Sequence, residues 1–231
     1  MASGEDTPFF ASLIENTPAL FAKIMAYNAA LCRESEILAH AQTLFTEEQC
    51  AQLVPWLCGR PDSMREGVDA IQGLFWNFQE ESRKLALLDS ALLRDLAAVL
   101  GVTVHAGELA LLVTREERSQ AIEVLGKERF TYALQRGQYL AGSVGALFRD
   151  RECDLPIARR CVRHGWLALA LCAQEWPREV KDRFCDWLWE EAGESMEPVE
   201  RLTIPSWRLL WGLIKKCLVR EVSPQCADFF A

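Results

Sequence analysis

A chain of 231 residues with a formal charge of −8 is poorly suited to wrapping nucleic acid, because neutralising phosphates takes clustered Lys and Arg that are not outnumbered. Half of its residues are hydrophobic, which excludes a disordered polymer and gives enough apolar surface for a full core without covalent staples. The charge is uneven: residues 1–75 carry four basic and ten acidic side chains, whereas the remainder is nearly balanced.

Taken in chain order, the punctuation is of helical type. Pro8 to Ala39 reads as one or two amphipathic helices. Thr46 with Gln49 and Ser63 with Glu66 are spaced as capping boxes, in which a hydroxyl and a carboxylate or amide satisfy each other's backbone donors. They bracket a short helix with Leu53 and Trp56 and the turn Cys58-Gly59-Arg60-Pro61-Asp62. Val68, Ile71, Phe75 and Phe78 predict the next helix. Leu85, Leu88, Leu92, Leu96 and Val99 recur at helical spacing and predict another, with Gly101 as its left-handed stop. Val102 to His105 is the one segment with β character, enough for a very short hairpin and too little for a sheet.

Thr114 followed by Glu117 predicts a further capped helix carrying Ile122 and Leu125 inward until Gly126 breaks it, and a helix from Lys127 buries Phe130 and Leu134. Gly142 to Asp154 reads as a loop and as a subdomain boundary, and Leu155-Pro156 opens the following helix. In Pro177 to Glu191, Val180, Phe184, Trp187 and Leu188 share a face, while Trp189 points to the side of Asp182 and Asp186. The last helix, about Ser206 to Glu221, places Trp207, Leu210, Trp211, Ile214 and Leu218 on a single apolar arc, and Lys215, Lys216 and Arg220 complement its negative end. The expected fold is therefore all-α, a compact array of about eight to ten helices, with an acidic N-terminal helical region over 1–84 and a second region over 85–231.

Candidates for chemistry are thin. Nine cysteines is an odd number, and Cys161, Cys172, Cys185 and Cys217 sit singly at helical positions, as reduced core residues do. Cys161 and His164 are three apart and invite a metal shared with Cys153 or Cys172, but there is no CxxC pair. His40 and His105 stand apart from any recognisable nucleophile motif, and Gly142-Ser143-Val144-Gly145 lacks the spacing and the lysine of a phosphate loop. No catalytic residue, metal or cofactor is expected. Partner contacts are the better expectation, with Trp189, Asp182 and Asp186 on one helix and the arginine cluster Arg159, Arg160 and Arg163 on another. No stretch has the make-up of a secretory signal, and the longest apolar run, Trp166 to Ala173, is far shorter than the roughly 20 residues that span a bilayer. A cytoplasmic location, with membrane association only through partners, is the expectation.

The succession from Leu92 to Leu140, with its leucine-rich helix, the Leu-Gly turn, the Thr114-Arg115-Glu116-Glu117 start and then Leu125-Gly126-Lys127-Glu128-Arg129-Phe130, resembles the K component of type III secretion systems (the YscK, PscK, MxiK and OrgA family). Leu202-Thr203-Ile204-Pro205 before an aromatic helix, and Val222-Ser223-Pro224 followed by Asp228-Phe229-Phe230, extend the likeness over roughly residues 85–231. What the resemblance implies is a non-enzymatic adaptor of the cytoplasmic sorting platform. It would join the cytoplasmic domain of the inner-membrane ring's D subunit to the Q-subunit pods, which connect through the L stator to the ATPase. Two other classes stay open on the residues alone: a helical secretion chaperone or regulator that binds an exported protein, and a small helical metalloenzyme using Cys153, Cys161, His164 or Cys172.

Overall fold

A computed structural model describes residues 17–29, 75–149, 151, 153–193 and 201–230. Among them helix accounts for 81% and there is no strand, so the molecule is all-α as its periodicity requires. The caps expected at Thr46 and Ser63, the turn at Cys58, and His40 lie outside the described residues. No helix among the described residues is long and apolar enough to cross a membrane. The chain divides into two compact units, Met1–Leu87 with Pro177–Val180, and Leu88–Trp176 with Lys181–Ala231.

In the first unit, helix α1 (Pro18–Ala29) buries Phe21, Ile24, Met25 and Asn28. Asn28 grips the backbone of Phe75 from both sides, its amide donating to the carbonyl at 2.9 Å and its oxygen accepting the N–H at 3.0 Å. That clamp satisfies both backbone groups of a residue that no helix serves. The helix expected through Phe75 and Phe78 is accordingly absent there: residues 75–79 are irregular, and Phe78 is buried edge-on against Tyr27 and Phe75. A 3-10 turn, Glu81–Leu87, follows.

The second unit starts at α2 (Ser90–Val104), capped by Asp89, whose carboxylate accepts the Leu92 N–H at 2.8 Å. Leu85 thus precedes this helix instead of belonging to it. Gly101 does not stop α2. Helix continues to Val104, so Val102 to His105 forms no hairpin, and the glycine serves packing. A Cβ on Gly101 would lie 1.8 Å from the Cys161 carbonyl oxygen, and one on Gly165 would lie 1.9 Å from that of Ala97. Helix α2 and the later helix α7 (Ile157–Cys172) therefore cross backbone on backbone.

Between them come α3 (Ala106–Ala110), α4 (Arg115–Leu125) and α5 (Lys127–Tyr132). The expected capping box is present, with Thr114 Oγ1 accepting the Glu117 N–H and the Glu117 carboxylate accepting the Thr114 N–H, both at 3.2 Å. Gly126 breaks the chain at φ +83°, in the region that only glycine adopts freely. Val102, Ala106, Leu109, Ala121, Leu125, Phe130, Ala133, Ala158 and Cys161 form one core cluster, which binds α2 to α5 and α7 together.

A π turn, Ala133–Gly137, leads into α6 (Gln138–Ala141) and a 3-10 turn, Gly142–Leu147. Pro156 caps α7 from just outside its first turn. Helix α8 (Arg178–Ala192) buries Phe184 and Leu188 and leaves Trp187 half-buried. Helix α9 (Ile204–Cys217) runs on as a π turn to Val222, burying Leu210, Leu213, Ile214, Cys217 and Leu218. Trp207 donates to the Cys172 carbonyl at 2.7 Å, and Gln174 clamps both backbone groups of Leu202, at 2.7 and 2.9 Å.

Candidate functional site

The crossing of α2 and α7 brings together four side chains that sequence reasoning kept apart. His105 follows the last residue of α2, and Glu108 stands three residues on, one turn into α3. Arg160 and His164 are four apart on α7 and so share a face. Glu108 Oε1 lies 2.6 Å from His105 Nδ1, His105 Nε2 lies 2.7 Å from His164 Nδ1, and Arg160 Nη2 donates to Glu108 Oε2. Arg160 Nη1 also donates to the Arg149 carbonyl at 3.3 Å. With Glu108 ionised, two neutral imidazoles fit the pattern: His105 gives its Nδ1 proton to the carboxylate and receives at Nε2 the Nδ1 proton of His164.

The electrostatics favour that neutral pair. Burial pushes His164 down to about 3, aided by repulsion from His105, Arg160, Arg151 and Arg163. Burial also lowers His105, against the pull of Glu108. For Glu108 itself burial acts upward, but the hydrogen bonds from His105 and Arg160 outweigh it and the net shift is downward. Both histidines are 1% exposed, and the ring of Phe148 packs 5.6 Å from that of His164. The relay therefore ends inside the protein. Glu108 lines a cavity, a space of about 510 Å³ lined also by Val104, Leu111, Gln138 and Arg149.

The arginine cluster expected on one solvated face is split. Arg160 is 8% exposed and belongs to the buried relay, because position 160 falls on the side of α7 that meets α2 and α3. Arg159 and Arg163 remain on the outer side and line a groove of about 390 Å³ with Val124, Leu155, Val162, Trp166 and Ala192. Trp189 is half-buried, one turn before Ala192, and is not part of the wall; Asp182 and Asp186 are exposed on the same side of α8, as their spacing requires.

The cysteines Cys161, Cys172 and Cys217 are buried, free thiols, and burial pushes Cys161 and Cys217 up to about 12. His164 Nδ1 faces the other histidine at hydrogen-bond distance, so it is not presented with Cys161 to a common ligand. No three His, Cys, Asp or Glu side chains among the described residues are grouped to hold a metal ion.

Sequence reasoning missed His105, Glu108 and His164 as a group. The signal was present in two short-range spacings, His105 with Glu108 and Arg160 with His164, each placing its pair on one helical face. Joining the pairs needs the crossing, and neither spacing encodes it. Comparison with known protein families, with curated proteins and with solved structures finds no match to this chain.

Proposed function

We propose that the chain is a non-enzymatic cytoplasmic adaptor of a type III secretion injectisome, peripheral to the inner membrane, that joins the D-subunit cytoplasmic domain to the Q-subunit pods and through them to the L stator and ATPase. The observation that carries this reading is the succession from Leu92 to Leu140, with the Thr114–Glu117 capping box and the Gly126 break that its family resemblance rests on. Two features favour binding over chemistry. The two histidines of the relay are buried, and the groove beside Arg159 and Arg163 exposes apolar surface next to positive charge. An adaptor of this kind holds two partners on separate faces of a rigid body, through contacts polar enough to exchange.

Crosslinking in native cells, followed by affinity purification of the tagged full chain and mass spectrometry, tests the reading. Joint recovery of the D, Q and L subunits with the ATPase is expected. Recovery of none removes the adaptor function, and recovery of an exported protein in their place moves the chain to the secretion chaperones. With purified partners, simultaneous binding of Q and the D domain is expected, and competition between them for one face overturns the two-face arrangement.

A further inference from the structure

We infer that residues 223–230 form a strap that opens and closes over α9 independently of the rest of the unit, with Phe230 as its catch and an aromatic socket beside Trp211 as the surface it covers. The inference holds whichever partners the chain binds.

The end of α9 sets the hinge. There the helix widens into the π turn Leu218–Val222, a geometry that recurs where helices bend or give way. Glu221 in that turn is tied to Arg136 at 3.0 Å with only 8% of its side chain exposed, and Leu218 is fully buried, so the turn itself is held in place. Ser223 then leaves the helix at φ −147° and ψ 95°, the extended conformation that a following proline favours. Pro224 has no N–H with which to continue the helix. The chain therefore departs from α9 at a defined point.

Past the hinge, backbone hydrogen bonds close small local turns. Cys226 donates to Ser223 at 3.0 Å, Ala227 to Pro224 at 3.1 Å and Phe230 to Ala227 at 3.2 Å. These bonds travel with the segment, so opening breaks none of them. Pro224, Gln225, Ala227 and Asp228 are exposed, whereas Phe230 is fully buried. Its ring lies 6.0 Å from that of Trp211 on α9, and Phe229 packs edge-on against it at 5.2 Å. Swinging the strap outward uncovers Phe230 and Trp211. It leaves Leu210, Leu213, Ile214 and Cys217, the buried side chains of α9, where they are. A segment whose own hydrogen bonds survive opening, and whose burial centres on one ring, opens at far lower cost than the core. Closed, it hides aromatic surface on α9; open, it bares a socket whose fitted occupant is this chain's own phenylalanine.

Hydrogen exchange of the full chain, followed across low urea concentrations, tests the opening. The Phe230 amide is expected to exchange at least about a hundredfold faster than those of Ile214 and Cys217, with little dependence on urea, because a small strap exposes little surface. Exchange of Phe230 at the rate and urea dependence of Ile214 overturns the strap, since the segment then opens only together with the unit. Exchange as fast as in an unstructured peptide overturns it too, since the segment is then never closed. Hydroxyl-radical footprinting tests the catch. Phe230→Ala is expected to raise oxidation of Trp211 about threefold and Phe230→Leu to leave it nearly unchanged. Trp176, buried elsewhere in the unit, is the reference. No rise at Trp211, or an equal rise at Trp176, refutes Phe230 as the catch.

Discussion

Two buried histidines that stay neutral make the fold sensitive to acid from a single position. The unfolded chain protonates His164 near its ordinary value of 6.5, whereas burial and the surrounding arginines hold the folded value near 3. A folded value below the unfolded one means that the unfolded state binds more protons as the pH falls. Stability is then full above about 6.5 and declines progressively toward 3. At pH 5 this one group is expected to have cost about 2 kcal/mol relative to pH 7, with His105 shifting in the same direction. Glu108 adds its loss in more acid solution, starting where an ordinary carboxylate protonates and continuing below that range, because its folded value is lowered. Urea midpoints at pH 7 and pH 5 measure the effect. His164→Gln should flatten the difference between them, and an unchanged difference would show that His164 takes up no protons on unfolding.

At the scale of elements, the crossing of α2 and α7 dominates. Gly101→Ala or Gly165→Ala drives a methyl group into a facing carbonyl oxygen, which the backbone relieves only by moving the helices apart. Denaturant titration is expected to show a loss of about 3 kcal/mol for either. Gly212→Ala supplies the contrast. Inside α9 nothing lies within 4 Å of its Cβ, so the same change should gain about 0.5 to 1 kcal/mol from helix propensity alone. The comparison shows what was legible beforehand. Local chemistry announced the capping box at Thr114, the Gly126 break and the apolar faces of α8 and α9, because each depends on residues within a turn or two. Gly101 misled, since a glycine that ends a helix and one that lets a neighbour approach look alike until the neighbour is in place. Arg160 misled for the same reason: beside Arg159 and Arg163 it reads as surface charge, and only Glu108 on another element turns it inward. Asn28 and Phe75, 47 residues apart, carry no local mark of their pairing at all.

For the molecule as a whole, a net charge of −8 implies weak attraction to an anionic lipid surface. The purified chain is expected to stay in the supernatant when anionic vesicles are sedimented at physiological salt, and to pellet with them only when a membrane-anchored partner is supplied. Pelleting alone would mean that the chain carries its own lipid-binding surface. The backbone contact between α2 and α7 has a mechanical consequence as well. Helices separated by long side chains can slide, because rotamers absorb the displacement; two main chains in direct contact have no such cushion. Helix α7 holds the buried relay on one side and the groove arginines on the other, so a load applied at the groove passes through a joint stiff to shear into the rest of the unit. A body built this way behaves as a strut rather than a spring.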